Sequence, residues 1–381
     1  MVASAVATIG VLPVFLVGAL APFIRVELGV TEAHMGAAVA AFFLSAAVAS
    51  VPIGRLVERL DAPRALALGA GASGLVLAGL ATPRSFPVLL AWMVAGGLSL
   101  SLSQLGANLK LAGAVSQTRQ GLAFGIKQSA IPGATLIAGV AVPTIALTAD
   151  WRWVYAGTAA AALVMAAAQL RGPQVGRPSG PRSTGALLRS PRPLVVLAVA
   201  AGLGTATATA MGAFAVEYAV AVGIDPGPAG LVLGVGGLSA IISRIAMGAL
   251  ADRRDGSNLL VATGMLAVGA AAVLTFPHVR TVGPMALVVV VVYAIGWGWA
   301  GLFNFAVVRR HRHAPAAATG ITQIGVYGGG VIGPVTFGLM VTHLSYAFAW
   351  RAAAVVMFAA AVLMFVGRAM ARRAWREPVD G

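Results

Sequence analysis

Apolar residues run through this chain in blocks of twenty or more, as at 194–215 and from 285 onward. Strands of a membrane barrel would alternate over segments of about ten residues. These runs do not, and only bundled helices satisfy the backbone of such stretches in lipid. Cut at Gly/Pro turns, charge clusters and caps, the pattern predicts twelve helical spans. They fall at 4–24, 34–54, 64–82, 86–113, 121–147, 151–170, 194–222, 227–250, 257–277, 283–308, 316–343 and 346–367. Most connections are short. The exception is 171–193, rich in Pro, Gly, Ser and Arg, which has nothing to bury. It divides the chain into a first six-helix bundle (1–170), a linker (171–193) and a second bundle with a short tail (194–381). The fold class expected is an all-α integral membrane protein of twelve transmembrane helices.

Composition sharpens this. Apolar residues make up 59% of the 381 residues and charged residues 10%, with a mean hydropathy of +0.91. A soluble domain is about a quarter charged, so several soluble domains are excluded. The net charge of +15 would suggest nucleic acid in a soluble protein, but here its placement accounts for it. Twelve spans put both termini, the linker and the 2–3, 4–5, 8–9 and 10–11 loops on one side. That side holds eighteen Arg residues, against five on the other; Lys110, Lys127 and Arg244 fall within spans. The positive-inside rule makes the basic side cytoplasmic. The expected location is the inner (cytoplasmic) membrane, with no nucleic-acid partner. Residues 1–24 lack a basic leader region and are expected to form the first span, not a cleaved signal. With no cysteines there is no disulfide framework, thiol nucleophile or Cys-metal site.

The two halves are copies. Shifted by 194 residues, Gly29 meets Gly223, Gly36 meets Gly230, and Leu44-Ser45 meets Leu238-Ser239. Thr31 and Asp225 stand at matching caps. Gly54-x-Leu56-x-Glu58-Arg59 meets Gly248-x-Leu250-x-Asp252-Arg253, and later Gly125-Ile126-Lys127-Gln128 meets Gly320-Ile321-Thr322-Gln323. Duplicated helical halves are the architecture of secondary transporters, with a shared cavity that opens to alternate sides as the halves rock.

These residues carry a family resemblance. The run from Gly248 to Arg253 resembles the 8–9 loop motif of the major facilitator superfamily, and that from Gly54 to Arg59 its 2–3 counterpart. Trp151-Arg152-Trp153 also resembles that family. The first copy departs from the pattern: Asp61-Ala62-Pro63 stands where Gly and further basic residues are expected. The resemblance implies that spans 1, 4, 7 and 10 line the cavity and that 2, 5, 8 and 11 form the interface between halves.

Candidate site residues follow. An acid and an Arg at a helix end form charge-assisted bonds across the halves, so Gly54, Glu58, Arg59, Gly248, Asp252 and Arg253 are candidate gating residues. Span 10 sets Tyr293, Trp297 and Asn304 along one face, and span 4 sets Gly97, Ser101, Gln104 and Asn108 along another. A polar stripe is costly in lipid, so both are expected to face the cavity. Lys127, Gln128 and Gln323 are candidate polar lining, the two Gln related by the repeat. Lys110 lies close enough to its helix end to reach the surface. Glu217 is the one carboxylate deep within a predicted span, and is read either as a proton carrier or as an interfacial residue. Arg244 lies eight residues before Asp252, roughly 12 Å into the bilayer at 1.5 Å per residue. An arginine there needs an anionic partner, either a substrate carboxylate or Glu217. The run from Ser243 to Asp252 resembles span 8 of the monocarboxylate and oxalate transporter branches, where an arginine at this spacing engages substrate. Gly325, Gly329 and Gly333 at intervals of four let helices approach closely.

No nucleotide-binding, metalloprotease or nucleophile-elbow motif appears. His311 and His313 lie in a basic loop without a third ligand, so no metal is expected, nor a cofactor. The expected function is a monomeric secondary active transporter, not an enzyme. It would move a small organic solute, an anionic carboxylate, across the lipid bilayer with a proton as coupling ion. The alternative is a proton-driven efflux antiporter for drugs or neutral solutes. Drug antiporters of the superfamily carry a Gly-Pro-Gly-Gly type motif in span 5. The run from Gly125 through Lys127 to Pro132-Gly133 does not match it.

Overall fold

A computed structural model describes residues 2–57, 59–112, 120–171, 192–253, 257–311 and 315–374; regular structure among them is helical throughout. The helices are α1 (Val2–Ala19), α2 (Ala21–Leu28), α3 (Glu32–Val57), α4 (Ala62–Leu80), α5 (Phe86–Ala112), α6 (Gln120–Gln128), α7 (Ala130–Ala141) and α8 (Trp151–Arg171). After the linker come α9 (Arg192–Ala221), α10 (Pro226–Arg253), α11 (Asn258–Thr275), α12 (Val282–Val291), α13 (Trp299–Arg310), α14 (Pro315–His343) and α15 (Tyr346–Ala374). Twelve helices among the described residues are long and apolar enough to cross a membrane. Span 5 comprises α6, α7 and a π turn at Val142–Ala146; span 10 comprises α12, a π turn at Val292–Gly296, and α13. Glu58, Arg119, Arg177, Arg182, Arg189, Arg254, Arg312, His313 and Arg376 lie outside the described residues.

Boundaries differ from expectation where turn chemistry intervenes. The first predicted span divides at Leu20 into α1 and α2, with a proline in the first turn of α2. Asp61-Ala62-Pro63 begins α4 two residues early: the Asp61 carboxylate accepts from the Arg64 backbone N–H at 2.8 Å, and Pro63 occupies the first turn. Both are preferred helix-start positions. The departure from the expected loop pattern is therefore a capped helix start.

The repeat is visible in the backbone. Gly29 and Gly223 follow α2 and α9 with φ of 62° and 94°, and among the described residues only these two have positive φ. A residue with a Cβ is disfavoured there. An even number of crossings places both ends of the chain on one face, the terminal face; the other is the far face.

Lipid supplies no hydrophobic drive for helix pairing, so small residues set the close contacts. At the centre α1 meets α9, where a Cβ on Gly18 would lie 2.4 Å from the Gly212 carbonyl oxygen. Two seams join the first six spans to the last six. In one, α6–α7 lies along α10: a Cβ on Gly121 would lie 2.5 Å from the Gly248 oxygen, one on Gly125 2.4 Å from the Arg244 oxygen, and one on Gly139 2.5 Å from the Gly230 oxygen. These contacts span the bilayer. In the other, α3 meets α14 toward the far face: a Cβ on Gly36 would lie 2.3 Å from the Pro334 oxygen, and one on Gly338 2.6 Å from the Glu32 oxygen. Toward the terminal face that seam is roomier. Among the described residues Gly320 has no non-local neighbour within 4 Å of a Cβ, and Gly54 has only Leu105, at 4.0 Å.

Candidate functional site

Arg244 is the centre of the arrangement. It projects from the middle of α10, is 1% exposed, and reaches two backbone carbonyls. Nη1 donates to the Gln128 carbonyl and Nη2 to the Trp297 carbonyl at 3.0 Å. The first acceptor exists because of the sequence. Residue 132, four after Gln128, is proline, so no N–H is available to close the helical bond to Gln128. Span 5 breaks at Ser129, and the orphaned carbonyl turns to α10. Gly125, packed on the Arg244 backbone, brings the two helices close enough for this. Trp297 follows the π turn of span 10, a local irregularity often found at functional sites. The guanidinium carbon lies 5.2 Å from the Trp297 ring centroid, within cation–π range.

Two carbonyls leave the guanidinium incompletely satisfied. Its Nε is buried without a partner. Among the described residues no carboxylate pairs with Arg244; Glu217, the alternative to a substrate carboxylate as its partner, bonds Arg25 instead. Trp297 contacts Tyr293 at 5.1 Å and Phe15 of α1 at 5.9 Å between ring centroids. The Tyr293 hydroxyl is buried and unpartnered. Phe15 thus brings the first half to the same aromatic cluster, a contact that no spacing in the sequence announced.

Glu217 lies elsewhere. It is 4% exposed, toward the far-face end of α9, and accepts from Nη1 of Arg25 on α2. The same nitrogen lies 2.8 Å from Glu32 at the start of α3. Arg25 Nε donates to the Val30 carbonyl at 3.1 Å. Burial acts to lower the Arg25 pKa, but the bond and the charges of Glu217 and Glu32 outweigh it and leave it raised. The second Glu217 oxygen and the Tyr346 hydroxyl are buried without partners. Arg25 and Glu32 were not recognised from sequence, because each reads as an ordinary loop-flanking charge.

Beside this cluster the first six spans carry a brace. Trp151 Nε1 donates to Glu27 at 2.8 Å, and Arg152 binds the same carboxylate in a bidentate way, at 2.8 and 2.6 Å. That bond holds the Glu27 carboxyl below its ordinary range.

At the terminal face the second motif copy is engaged. The Asp252 carboxylate accepts from the backbone N–H groups of Gly121 at 2.7 Å and Leu122 at 2.9 Å. These are orphan donors at the N-terminus of α6, where a negative charge is favoured. Arg253 is exposed. Among the described residues the first copy has no matching close approach at Gly54; Arg59 is exposed and Glu58 lies outside the described residues.

Two members of the stripe expected on span 4, Gly97 and Ser101, pack against α3. The Ser101 hydroxyl donates to the Ala46 carbonyl of α3 at 2.7 Å, and a Cβ on Gly97 would lie 2.0 Å from the Phe42 oxygen. This part of the stripe is a packing seam within the first half. Gln104 is half-buried and Asn108 exposed. Asn304 donates to the Ala300 carbonyl of its own helix at 3.0 Å. Gln323 bonds Tyr327 one turn on. Lys127 is half-buried and makes no hydrogen bond or ion pair among the described residues. No cluster of three or more His, Cys, Asp or Glu able to hold a metal occurs among the described residues.

The comparisons with known proteins agree with this architecture. A family model described as Major Facilitator Superfamily matches residues 3–334. No curated protein matches the chain. Among solved structures the chain is similar to a bacterial homolog of the human lysosomal transporter Spinster, in an inward-facing and occupied conformation. The TM-score is 0.70 and the identity 15%, over 98% of this chain and 96% of that one. At that identity the likeness speaks for the fold. The chain belongs to the major facilitator superfamily and is a multi-pass membrane protein, a secondary transporter of a small-molecule substrate.

Proposed function

We propose that the substrate is a small organic anion, a carboxylate, bound by Arg244 between the two halves and moved with a proton carried by Glu217. The observation that carries this reading is the state of Arg244. A permanent positive charge sits in the middle of a span, ligated by two neutral carbonyls, with Nε unused and no carboxylate paired with it among the described residues. A buried cation without a counter-charge is costly, and a substrate carboxylate repays that cost by accepting from the free side of the guanidinium. Lys127 lies one residue before the carbonyl that holds Arg244 and adds a second charge for a dianion. Tyr293, Trp297 and Phe15 supply the apolar wall. The same aromatic wall favours the second reading, efflux of a neutral or hydrophobic solute. In the first reading Asp252 on the N-terminus of α6 gates the terminal face, which the distribution of basic residues makes cytoplasmic.

Uptake of small carboxylates into proteoliposomes tests the substrate class. Arg244→Ala and Arg244→Lys are both expected to lower transport by about 100-fold, the loss of two charged hydrogen bonds. Full transport by Arg244→Ala overturns the anion reading and brings the neutral-solute reading forward. Glu217→Gln is expected to abolish accumulation driven by a pH gradient while sparing substrate exchange.

A further inference from the structure

We infer that Arg25 is a shared counter-charge that latches the far face shut, held by Glu32 of its own half and by Glu217 of the other. The inference needs rocking halves but not proton-coupled transport. Arg25 stands on the short helix α2, which is anchored within the first half through the Val30 carbonyl and Glu32. Its third contact, with Glu217, crosses to α9 of the second half. Glu217 is the buried member of the set, with one oxygen on Arg25 and the other unpartnered. Parting the halves at the far face breaks the bond between Arg25 and Glu217 and leaves the bond between Arg25 and Glu32 intact. Arg25 therefore keeps an anionic partner in both states, and the cost of opening falls on Glu217. An ionised Glu217 stripped of its arginine must be rehydrated, whereas a neutral Glu217 parts without that cost. Closure thus requires ionised Glu217, and acid favours the open far face.

Among the described residues the groups around Glu217 include no second bonded cation. α2 offers Arg25, α3 offers Glu32, and α15 offers the unpartnered Tyr346 hydroxyl. Tyr218, next along α9, donates its hydroxyl to the Phe276 carbonyl and feels Arg280 of the following loop. α1 meets α9 through Gly18 and Phe15. α14 meets it through Phe337, with His343 exposed at its end. Among the described residues the one cation bonded to Glu217 comes from the other half.

Two far-face positions report opening: Ser85 after span 3 and Val282 at the start of α12, both exposed. The chain has no cysteine, so Ser85→Cys with Val282→Cys accepts a unique spin-label pair. Distance distributions are measured at mildly alkaline and mildly acidic pH in nanodiscs. The parent pair is expected to be short at alkaline pH and to gain a long component in acid. Glu217→Gln is expected to raise the ratio of long to short by roughly tenfold at alkaline pH, as for loss of a charged hydrogen bond, and to lose the pH response. Glu32→Gln is expected to keep both the short distance and the response. Exchanging the charges, Arg25→Glu with Glu217→Arg, is expected to restore the short distance. A parent distribution that ignores pH, or Glu217→Gln indistinguishable from the parent, overturns the latch. Shifted distances with proton-driven accumulation intact uphold the latch and refute Glu217 as the coupling residue; the reverse pattern refutes the latch alone.

Discussion

The two seams between the halves are built from copies of one sequence, yet they close differently. Along α6–α7 and α10, glycines meet backbone at both ends and in the middle, and Asp252 caps the N-terminus of α6. Along α3 and α14 the tight contacts run from the far face to mid-helix, at Gly36, Gly338 and Gly330, while near the terminal face Gly54 and Gly320 have room among the described residues. A duplicated motif therefore does not imply a duplicated contact. Gly248 and Gly54 occupy the same place in the repeat, but among the described residues only Gly248 has a partner backbone against it. The two seams therefore differ, among the described residues, in how far toward the terminal face their close packing runs.

The largest expected break in this comparison is Gly248→Leu. Its Cβ alone would lie 2.5 Å from the Gly121 oxygen, which is backbone and cannot swing aside. Overpacking of this kind costs about 1–3 kcal/mol, so the purified protein should melt earlier and transport should collapse. Gly54→Leu, with space around it, should leave both close to the parent. A Gly54→Leu as damaging as Gly248→Leu would mean that the roomier seam also closes tightly during the cycle.

Asp252→Ala comes next. It removes two charge-assisted acceptors from the start of α6, each worth about 1.5–3 kcal/mol in a favourable setting. Reduced transport with a widened α6–α10 distance is expected. Asp252→Asn should retain part of the function, since the amide oxygen still accepts one bond. Equal loss in Glu58→Ala would show that the first copy makes an equivalent contact in another state.

Gly29→Ala and Gly223→Ala sharpen the comparison from the other side, because here the copies do agree. Both have positive φ, and each alanine should cost about 1–2 kcal/mol, measured as similar drops in melting temperature. Unequal drops would show that one half tolerates a remodelled turn. The smallest effect is expected for Ser101→Ala. Loss of an interhelical bond of this type costs about 0.6 kcal/mol, and transport should be unchanged. A changed substrate preference would return Ser101 to the cavity.

How much was legible beforehand depends on the range of the interaction. The α4 start was misplaced only because a local cap, Asp61 on Arg64, overrode the apolar pattern. Tyr293 and Trp297 of span 10 meet ring to ring, as side chains four apart on one helix do. Ser101 was placed on the wrong surface: spacing shows that polar residues line up, not whether they face a cavity or a carbonyl on the next helix.

By itself the sequence determined the twelve spans, the repeat and the common side of the termini. Each depends on hydrophobicity, turn residues or charge counted along the chain, and lipid enforces the helical answer. Only the tertiary structure decided the partners of the buried charges. Arg244 meets a carbonyl 116 positions away, exposed because Pro132 lacks an N–H. Arg25 meets Glu217 across 192 positions. A charge in low dielectric takes its partner from whichever helix packing brings near, and that choice among distant residues is made by the small-residue seams.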